Sequence, residues 1–382
     1  MRNRVVIAGG GTGGHLYPGI ALAKALKKYD DAMDITFVGT RQGIEATILP
    51  REGWPLKTIC SGGLLGKKGF KRLLAGSKIP IGILQSLAFL LQKRPDLVVG
   101  VGGYVSGPLV LSAWILRIPI LIQEQNAVPG ITNKWLGKIA DKIAVSFKEA
   151  KKYFPENKVV ETGNLIREEF CARRENSTPL PSDAFNILVL GGSQGAHSIN
   201  LGMVEAVDFL SQAKDQLHIT HQTGASDCDW VKNQYVEKNM SADVRAFIHD
   251  VAEQFRKASL IICRAGASTL AEITACGKMA VLIPYPHATH NHQERNARVL
   301  ETANAAEVVL DKDVSGEQLA RIILQVYGQP EKRREMENNC YALGQRDATE
   351  KALELCLALM NKSRGESGSN ETAVGENVLS CF

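Results

Sequence analysis

Short apolar runs alternate with longer helix-like stretches along most of this chain. The first run, residues 5–8, is rich in β-branched side chains and leads directly into glycines. Alternation of this kind is typical of βαβ units, which place parallel strands side by side. The sequence therefore predicts an α/β fold with parallel sheets. The expected strands are residues 5–8, 35–38, 97–101, 120–123, 142–146, 260–263 and 280–284.

The pattern pauses near residue 163 and restarts at residue 186, where 187–190 leads into Gly191 as 5–8 leads into Gly9. A chain of 382 residues has room for two domains. We expect two Rossmann-like domains, 1–163 and 164–343, with parallel sheets that face a cleft. A helix at about 344–362 is expected to pack back on the first domain. The tail 363–382 is rich in Gly and Ser and is expected to be disordered.

Three glycine-rich loops, residues 9–14, 100–108 and 191–196, follow predicted strands. In such a loop, backbone N–H groups and the dipole of the next helix can hold a phosphate. The first loop also fits the dinucleotide pattern GxGxxG. However, residues 37–40 at the end of the second strand lack the acid that a nicotinamide enzyme uses to bind ribose. One loop alone can be a plain turn, whereas three loops favour phosphate-rich ligands in both domains.

Polar residues beside these loops are candidates for chemistry. His15 begins a helix, where a neutral imidazole is favoured and can act as a base, although a capping or packing role is the alternative. Glu124 can be a base, an orienting group or a buried structural carboxylate. Ser268 is expected to cap a helix. Glu272 would then lie one turn inside that helix, where it can bind a ribose diol or merely complement the helix dipole.

Cysteine and histidine spacing argues against a metal centre. Eight cysteines are scattered singly, which fits neither a zinc ribbon nor a disulfide framework and favours a reducing compartment. His287, His290 and His292 are close in sequence, but no cysteine or acid has matching spacing. We expect this run to be a polar ligand-binding loop. No signal-peptide pattern is found at the N-terminus, so the chain is expected to be cytoplasmic.

Positive charge is concentrated in the first half of the chain. Residues 1–164 contain 23 Lys and Arg against 11 Asp and Glu, although the whole chain carries only +5. The uncharged run 79–91 is too short to span a bilayer. It can lie on an anionic membrane, or it can be an ordinary half-buried helix beside a solvated basic face. The basic residues between 53 and 95, a stretch without acids, are Lys57, Lys67, Lys68, Lys71, Arg72, Lys78, Lys93 and Arg94.

Seven motifs occur in one order between residue 5 and about residue 310. They are GGTGGH at 10–15, GGYVSGP at 102–108, EQN at 124–126, GNLIR at 163–167, GGSQGA at 191–196, RAGASTLAE at 264–272 and HATHNHQERNA at 287–297. In this combination the chain resembles the MurG family of bacterial peptidoglycan glycosyltransferases. The resemblance implies a GT-B fold and an inverting, metal-independent transfer of N-acetylglucosamine (GlcNAc) from UDP-GlcNAc to undecaprenyl-pyrophosphoryl-N-acetylmuramoyl-pentapeptide (lipid I), giving lipid II.

The same resemblance assigns roles to individual residues. Glu272 would hold the uridine ribose, Ile248 would lie against uracil, and Ser193 would touch the diphosphate. Gln293 and Asn126 would reach the sugar, and His15 would be the base. Two positions depart from the family pattern, His290 in place of Asp and Gln123 in place of His. The implied substrate-binding residues are Thr12, Gly13, Gly14, Asn126, Arg167, Ser193, Ile248, Ala267, Ser268, Thr269, Leu270, Ala271, Glu272 and Gln293.

The resemblance also implies a setting for the enzyme. It would be peripheral at the cytoplasmic face of the bacterial inner (plasma) membrane, with an anionic membrane surface and cell-wall synthesis proteins as partners. Neither nucleic acid nor a metal or other cofactor is expected. The alternatives are another UDP-sugar transferase such as a galactolipid synthase, a UDP-GlcNAc 2-epimerase, a nicotinamide dehydrogenase and a non-catalytic binding module.

Overall fold

The structure is a computed structural model that describes residues 3–62, 70–171, 185–192, 194–288 and 291–363, with backbone only for 70–78 and 363. The chain divides into two compact units. The first unit comprises residues up to Arg167 and those from Arg346 onward, and the second is Glu168–Gln345. The tail expected to be disordered lies, from residue 364 onward, outside the described residues.

A sheet of seven parallel strands forms the centre of the first unit, in the order β3-β2-β1-β4-β5-β6-β7. β1 shows why both faces of this sheet are covered. Val5 and Ile7 enter the apolar core on one face, and Val6 and Ala8 enter the core on the other. The strands are β1 (Arg4–Ala8), β2 (Asp34–Gly39), β3 (Leu56–Thr58), β4 (Leu97–Gly100), β5 (Ile120–Glu124), β6 (Lys142–Val145) and β7 (Val159–Glu161).

Helices connect these strands and pack on the two faces of the sheet. The predicted apolar run 79–91 lies within one long helix, which has buried positions such as Leu90 and exposed ones such as Leu84. The helices are α1 (Gly13–Tyr29), α2 (Glu45–Arg51), α3 (Phe70–Lys93), α4 (Ser106–Ile115) and α5 (Ile131–Leu136). In the described part of the chain, no helix is both long enough and apolar enough to cross a bilayer.

The second unit repeats the design with six parallel strands in the order β10-β9-β8-β11-β12-β13. Its strands are β8 (Phe185–Leu190), β9 (Leu217–Gln222), β10 (Ala242–Arg245), β11 (Leu260–Cys263), β12 (Ala280–Leu282) and β13 (Glu307–Val308). Its helices are α6 (His197–Ala206), α7 (Cys228–Glu237), α8 (Val251–Lys257), α9 (Ala267–Cys276), α10 (His292–Thr302), α11 (Gly316–Gly328) and α12 (Pro330–Ala342).

The last described helix, α13 (Ala348–Ser363), belongs to the first unit although it follows the second in sequence. It packs against α1. Leu353, Cys356 and Met360 are buried in the same apolar core as Val5 and Ile7 of β1. The first unit is thus completed by the C-terminal part of the chain.

Both sheets have the Rossmann strand order, in which the first strand lies next to the fourth. The prediction of two Rossmann-like α/β domains is confirmed, and the seven predicted strands are found at their expected positions. In each unit, the loops after the strands gather at the carboxyl edge of the sheet, where open α/β sheets bind their ligands.

Candidate active site

The first glycine loop follows β1 and leads into α1. Thr12 is the N-cap residue of this helix, with an exposed side chain that makes no capping hydrogen bond. Gly13, Gly14 and His15 form the first turn of α1, and all three are half-buried. These predicted site residues therefore lie together at the carboxyl end of β1.

A buried carboxylate holds this loop in place. Glu45, the first residue of α2, has no exposed surface. Its Oε2 accepts the N–H of Gly11 at 2.9 Å, and its Oε1 accepts the N–H and the hydroxyl of Thr40, each at 2.8 Å. A Cβ on Gly10 would lie 2.4 Å from the Glu45 carboxyl carbon, so the loop can close over the carboxylate only where no side chain is present.

Glu45 changes what the first loop can bind. The N–H of Gly11 is already donated to a carboxylate, and a second anion at Gly11 would be repelled by it. The phosphate site predicted from the glycine pattern is therefore not available at Gly11 itself. Glu45 was not predicted from the sequence, although an acid at the first position of a helix is a common partner for the helix dipole.

His15 lies near the carboxyl ends of β1, β4 and β5. Its Nδ1 is 3.2 Å from Oε1 of Gln125, which directly follows β5. Nε2 of Gln125 donates to the carbonyl of Val101, which directly follows β4, at 2.8 Å. The predicted base is thus tied to two neighbouring loops through Gln125, a residue that the sequence did not single out.

Glu124 orients the loop that carries Asn126. It is 1% exposed and accepts the N–H of Asn126 at 2.9 Å, the Asn126 side-chain amide at 3.2 Å and the Asn133 side-chain amide at 2.9 Å. Burial raises the pKa of Glu124, while these hydrogen bonds act to lower it. Of the three roles left open by the sequence, the contacts favour the structural and orienting ones, because both carboxylate oxygens are engaged by protein donors.

Arg167 lies close to the start of α1. The carbon of its guanidinium group is 5.2 Å from the ring centroid of Tyr17, two residues beyond His15, and the side chain is half-buried. Gln123 donates to the carbonyl of Gly163 at 3.2 Å, which connects the segment before Arg167 to the end of β5. The first unit therefore brings together Thr12, Gly13, Gly14, His15, Asn126 and Arg167 at one edge of its sheet.

In the second unit, the loop after β8 carries the predicted diphosphate contact, Ser193, which lies outside the described residues. Its neighbour Gly192 is joined to Ile248 through Gln222 at the end of β9. Nε2 of Gln222 donates to the Gly192 carbonyl at 2.8 Å, and its Oε1 accepts the Ile248 N–H at 2.9 Å. Ile248 is 1% exposed. Gln222 was missed at the sequence level, because neither partner is its neighbour in the chain.

The helix α9 supplies the largest group of predicted contacts. It begins at Ala267, with Gly266 as its N-cap, so the prediction that Ser268 is the capping residue is wrong. Ser268 is already the second residue of the helix, because the chain adopts helical geometry two residues earlier than the capping preference suggested. Because Gly266 has no side chain, the N-cap residue cannot accept a hydrogen bond from the first backbone N–H groups of α9.

Within α9, Ala267 and Leu270 are buried, whereas Ser268, Thr269, Ala271 and Glu272 are half-buried. Glu272 lies near the end of β11. Cys263 is the last residue of β11, and burial raises the pKa of its thiol to about 12. The Glu272 carboxylate is close enough to add to this increase. The predicted ribose-binding residue is thus in the second turn of the helix, with part of its side chain accessible.

Gln293 is the second residue of α10, and its Oε1 accepts the N–H of Tyr285 at 2.9 Å. The side-chain amide of Gln293 is therefore oriented by the loop after β12. His290, which departs from the family pattern, lies outside the described residues. No group of three or more His, Cys, Asp or Glu side chains within the described ranges is arranged to hold a metal ion.

Comparison with known proteins defines the class. Residues 5–145 match the N-terminal domain of glycosyltransferase family 28, and residues 186–352 match its C-terminal domain. The chain belongs to glycosyltransferase family 28 and is a glycosyltransferase. This membership excludes the nicotinamide dehydrogenase and the non-catalytic binding module.

Relatives that match along nearly the whole chain share one name, UDP-N-acetylglucosamine–N-acetylmuramyl-(pentapeptide) pyrophosphoryl-undecaprenol N-acetylglucosamine transferase. The protein from Myxococcus xanthus is 43% identical, covering 97% of both chains. The one from Geobacter sulfurreducens is 45% identical, covering 94% of this chain and 99% of its own.

Solved structures confirm the fold class. The crystal structure of Acinetobacter baumannii MurG is similar with a TM-score of 0.74 and 30% identity, covering 93% of this chain and 99% of its own. A putative UDP-N-acetylglucosamine 2-epimerase from Listeria monocytogenes has a TM-score of 0.68 at 14% identity, covering 96% and 98%. At that identity the likeness concerns the fold alone.

Proposed function

We propose that this glycosyltransferase moves N-acetylglucosamine from UDP-GlcNAc to undecaprenyl-pyrophosphoryl-N-acetylmuramoyl-pentapeptide (lipid I), giving lipid II for peptidoglycan. The observation that carries the proposal is the identity of 43% and 45%, over nearly the whole chain, to two transferases named for this substrate pair. The arrangement of residues within each unit supports donor binding by the second unit and acceptor binding by the first.

The second unit is proposed to bind the donor. Glu272 accepts hydrogen bonds from the uridine ribose, and Ile248 packs against the uracil ring. Ser193 and the N-terminal turn of α9 receive the diphosphate, because the positive end of a helix dipole stabilises an anion. Gln293 donates to the GlcNAc hydroxyls. Backbone N–H groups of this kind can stabilise the departing UDP without help from a metal.

The first unit is proposed to bind the acceptor and supply the base. His15 removes the proton from a hydroxyl of the acceptor sugar, and the freed electron pair of that oxygen forms the new bond to the anomeric carbon. The bond from that carbon to the β-phosphate oxygen breaks, and its electron pair leaves on UDP. Attack opposite to the leaving group inverts the anomeric centre. Thr12, Gly13, Gly14, Asn126 and Arg167 line the side of the sheet where this occurs.

The enzyme is proposed to work on the cytoplasmic face of the bacterial plasma membrane as a peripheral protein, alongside other cell-wall synthesis proteins. In the first unit, the consecutive helices α3, α4 and α5 expose large apolar side chains. Helix α4 packs against both α3 and α5. These side chains are Ile81, Leu84, Leu91, Trp114, Ile115, Ile131 and Trp135, each between 47% and 67% exposed. Lys138 lies over the Trp135 ring at 4.6 Å, a pairing of cation and aromatic ring suited to a lipid headgroup region.

A single assay tests the reaction. The enzyme is incubated with UDP-GlcNAc and a short-chain lipid I analogue in EDTA, and the disaccharide product is sought by mass spectrometry. We expect product formation in EDTA, and a loss of about 10²–10⁴-fold in kcat for His15→Ala, the range that a general base contributes. Formation of an epimerised UDP-sugar without disaccharide would instead indicate the 2-epimerase. Transfer to a different lipid acceptor would indicate another UDP-sugar transferase.

A further inference from the structure

The side chain of Gln125 lies between His15 and the backbone of Val101. His15 Nδ1 is 3.2 Å from Gln125 Oε1, and Gln125 Nε2 donates to the Val101 carbonyl at 2.8 Å. Gln125 is 1% exposed, so its polar atoms must find their partners within the protein. The proposed base therefore has a buried neighbour with a defined orientation.

The orientation of the Gln125 amide follows from the Val101 carbonyl. A carbonyl oxygen only accepts hydrogen bonds, so the amide must turn its NH₂ group toward Val101. Its oxygen then faces His15 Nδ1. Because that oxygen carries no hydrogen, the hydrogen of this contact has to be on Nδ1. The opposite tautomer of the imidazole would set two lone pairs against each other.

The glycine at position 102 makes this contact possible. Gly102 has a φ of +98°, and a Cβ at this residue would lie 2.6 Å from His15 Nδ1. Any side chain there would push the imidazole away from Gln125. The glycine of the second loop, interpreted from the sequence as part of a phosphate cradle, thus has a steric role next to the imidazole.

We propose that Gln125 is a positioning residue, which holds His15 as the Nδ1–H tautomer so that Nε2 carries the lone pair that takes the acceptor proton. This inference rests on the proposed function, in which His15 is the base. In the step, Nε2 gains the proton of the acceptor hydroxyl, the oxygen bonds to the anomeric carbon, and UDP leaves with the electron pair of the broken bond. The Nδ1–H···Oε1 bond persists in the imidazolium that forms.

The neutral amide suits this role better than a carboxylate. An adjacent carboxylate would favour the charged imidazolium, which cannot accept a proton. The nearby carboxylate of Glu124 is directed to Asn126, Gly130 and Asn133. Gln125 can thus fix the tautomer without adding a negative charge next to the ring.

The test combines a spectroscopic readout with kinetics. Enzyme labelled with ¹⁵N in its eight histidines is studied by NMR at a pH where imidazole is neutral, and the His15 signals are assigned as those missing from His15→Gln. The ¹⁵N shifts report which ring nitrogen carries hydrogen. The wild type should show His15 as Nδ1–H. In Gln125→Met, which has a similar length but no acceptor oxygen, the Nε2–H form should grow.

The kinetic expectation for Gln125→Met is a fall in kcat of about tenfold or more, but smaller than the loss from removing the base itself, which contributes about 10²–10⁴-fold, with an unchanged KM for UDP-GlcNAc. Gln123→Met is the matched control. Gln123 lies two residues earlier, is also 1% exposed and bonds Gly163 instead of His15, so its variant should keep the His15 tautomer.

Two results would overturn the inference. One is a wild-type His15 found as Nε2–H, which needs no variant to fold. The other is a folded Gln125→Met with wild-type kcat while His15→Ala is inactive. If the wild type forms no disaccharide, the proposed function fails instead, and the NMR spectrum still decides the tautomer that Gln125 imposes.

Discussion

The Glu45 carboxylate accepts the backbone N–H of Gly11 at 2.9 Å, and a Cβ on the preceding Gly10 would lie 2.4 Å from its carboxyl carbon. In Glu45→Gln, an amide NH₂ would replace one oxygen and face either the Gly11 N–H or the Thr40 N–H. A buried donor would then lose its acceptor, so we expect a loss of about 1–3 kcal/mol in the free energy of unfolding. Urea unfolding followed by tryptophan fluorescence measures this, since three of the four tryptophans lie in the first unit.

The control for Glu45 is Glu52→Gln. Glu52 is exposed and forms a surface ion pair with Lys24 at 3.0 Å, and such pairs contribute at most about 1 kcal/mol. If both variants lost the same small amount, Glu45 would not be the support of the loop.

Stability of the second unit should depend on pH through His221. This residue has no exposed surface, with Nε2 3.0 Å from Asn200 Oδ1 and Nδ1 2.9 Å from the Tyr235 hydroxyl. Burial lowers the pKa of His221 from 6.5 to about 3. Between these values the unfolded chain binds a proton that the folded chain excludes, so stability falls as pH drops below 6.5. From pH 7.5 to pH 5, this group should cost about 2 kcal/mol.

Urea unfolding at the two pH values measures the effect. Other groups also titrate in this range, so the comparison is with His221→Gln, which should have lower stability at pH 7.5 and a pH dependence smaller by that amount. His218→Gln, on the same strand but bonded to Ser241 near the surface, should keep the wild-type dependence. Identical pH dependence in wild type and His221→Gln would contradict the prediction.

Donor affinity should depend on Glu272. In Glu272→Ala the ribose loses a charged hydrogen-bond acceptor. The KM for UDP-GlcNAc should therefore rise by a factor equivalent to about 1–3 kcal/mol. Glu253→Ala serves as control, because Glu253 lies in the same unit and forms only a surface pair with Lys257. A KM for UDP-GlcNAc that is unchanged in Glu272→Ala would remove the ribose assignment.

Membrane attachment should depend on the basic stretch that begins at Lys67. Lys67 and Lys68 lie outside the described residues, and Lys71 and Arg72 are the second and third residues of α3. Each basic residue near an anionic surface contributes about 1 kcal/mol, and salt screens this attraction. The wild type should sediment with anionic vesicles at low salt and not with neutral ones, whereas the variant with Glu at these four positions should stay in solution.

The matched variant carries the same four charge reversals in the second unit, at exposed Lys312, Arg321, Lys332 and Arg334. It should still bind anionic vesicles, and both variants should keep the wild-type affinity for UDP-GlcNAc. If the wild type does not sediment with anionic vesicles at low salt, the proposed attachment to the membrane is wrong.

The sequence predicts what is local and misses what is not. The strand predicted at residues 5–8 is found as Arg4–Ala8, because β-branched residues and a following glycine are enough to define a buried parallel strand. Glu45, Gln125 and Gln222 were missed because each acts on a partner that is remote in sequence, at separations of 34, 110 and 30 residues. The N-cap at Ser268 was wrong for the opposite reason. The local preference for Ser at the cap was overridden, because the helix begins two residues earlier, at Ala267.

The packing of α13 against α1 has a consequence for synthesis of the protein. On the ribosome, β1 and the rest of the first sheet emerge well before Leu353, Cys356 and Met360. These three side chains fill part of the apolar core on one face of that sheet. The first unit to be translated is therefore the last to be finished. During that interval this apolar core lacks its C-terminal part, and apolar surface exposed in this way is prone to aggregation until the last helix leaves the exit tunnel.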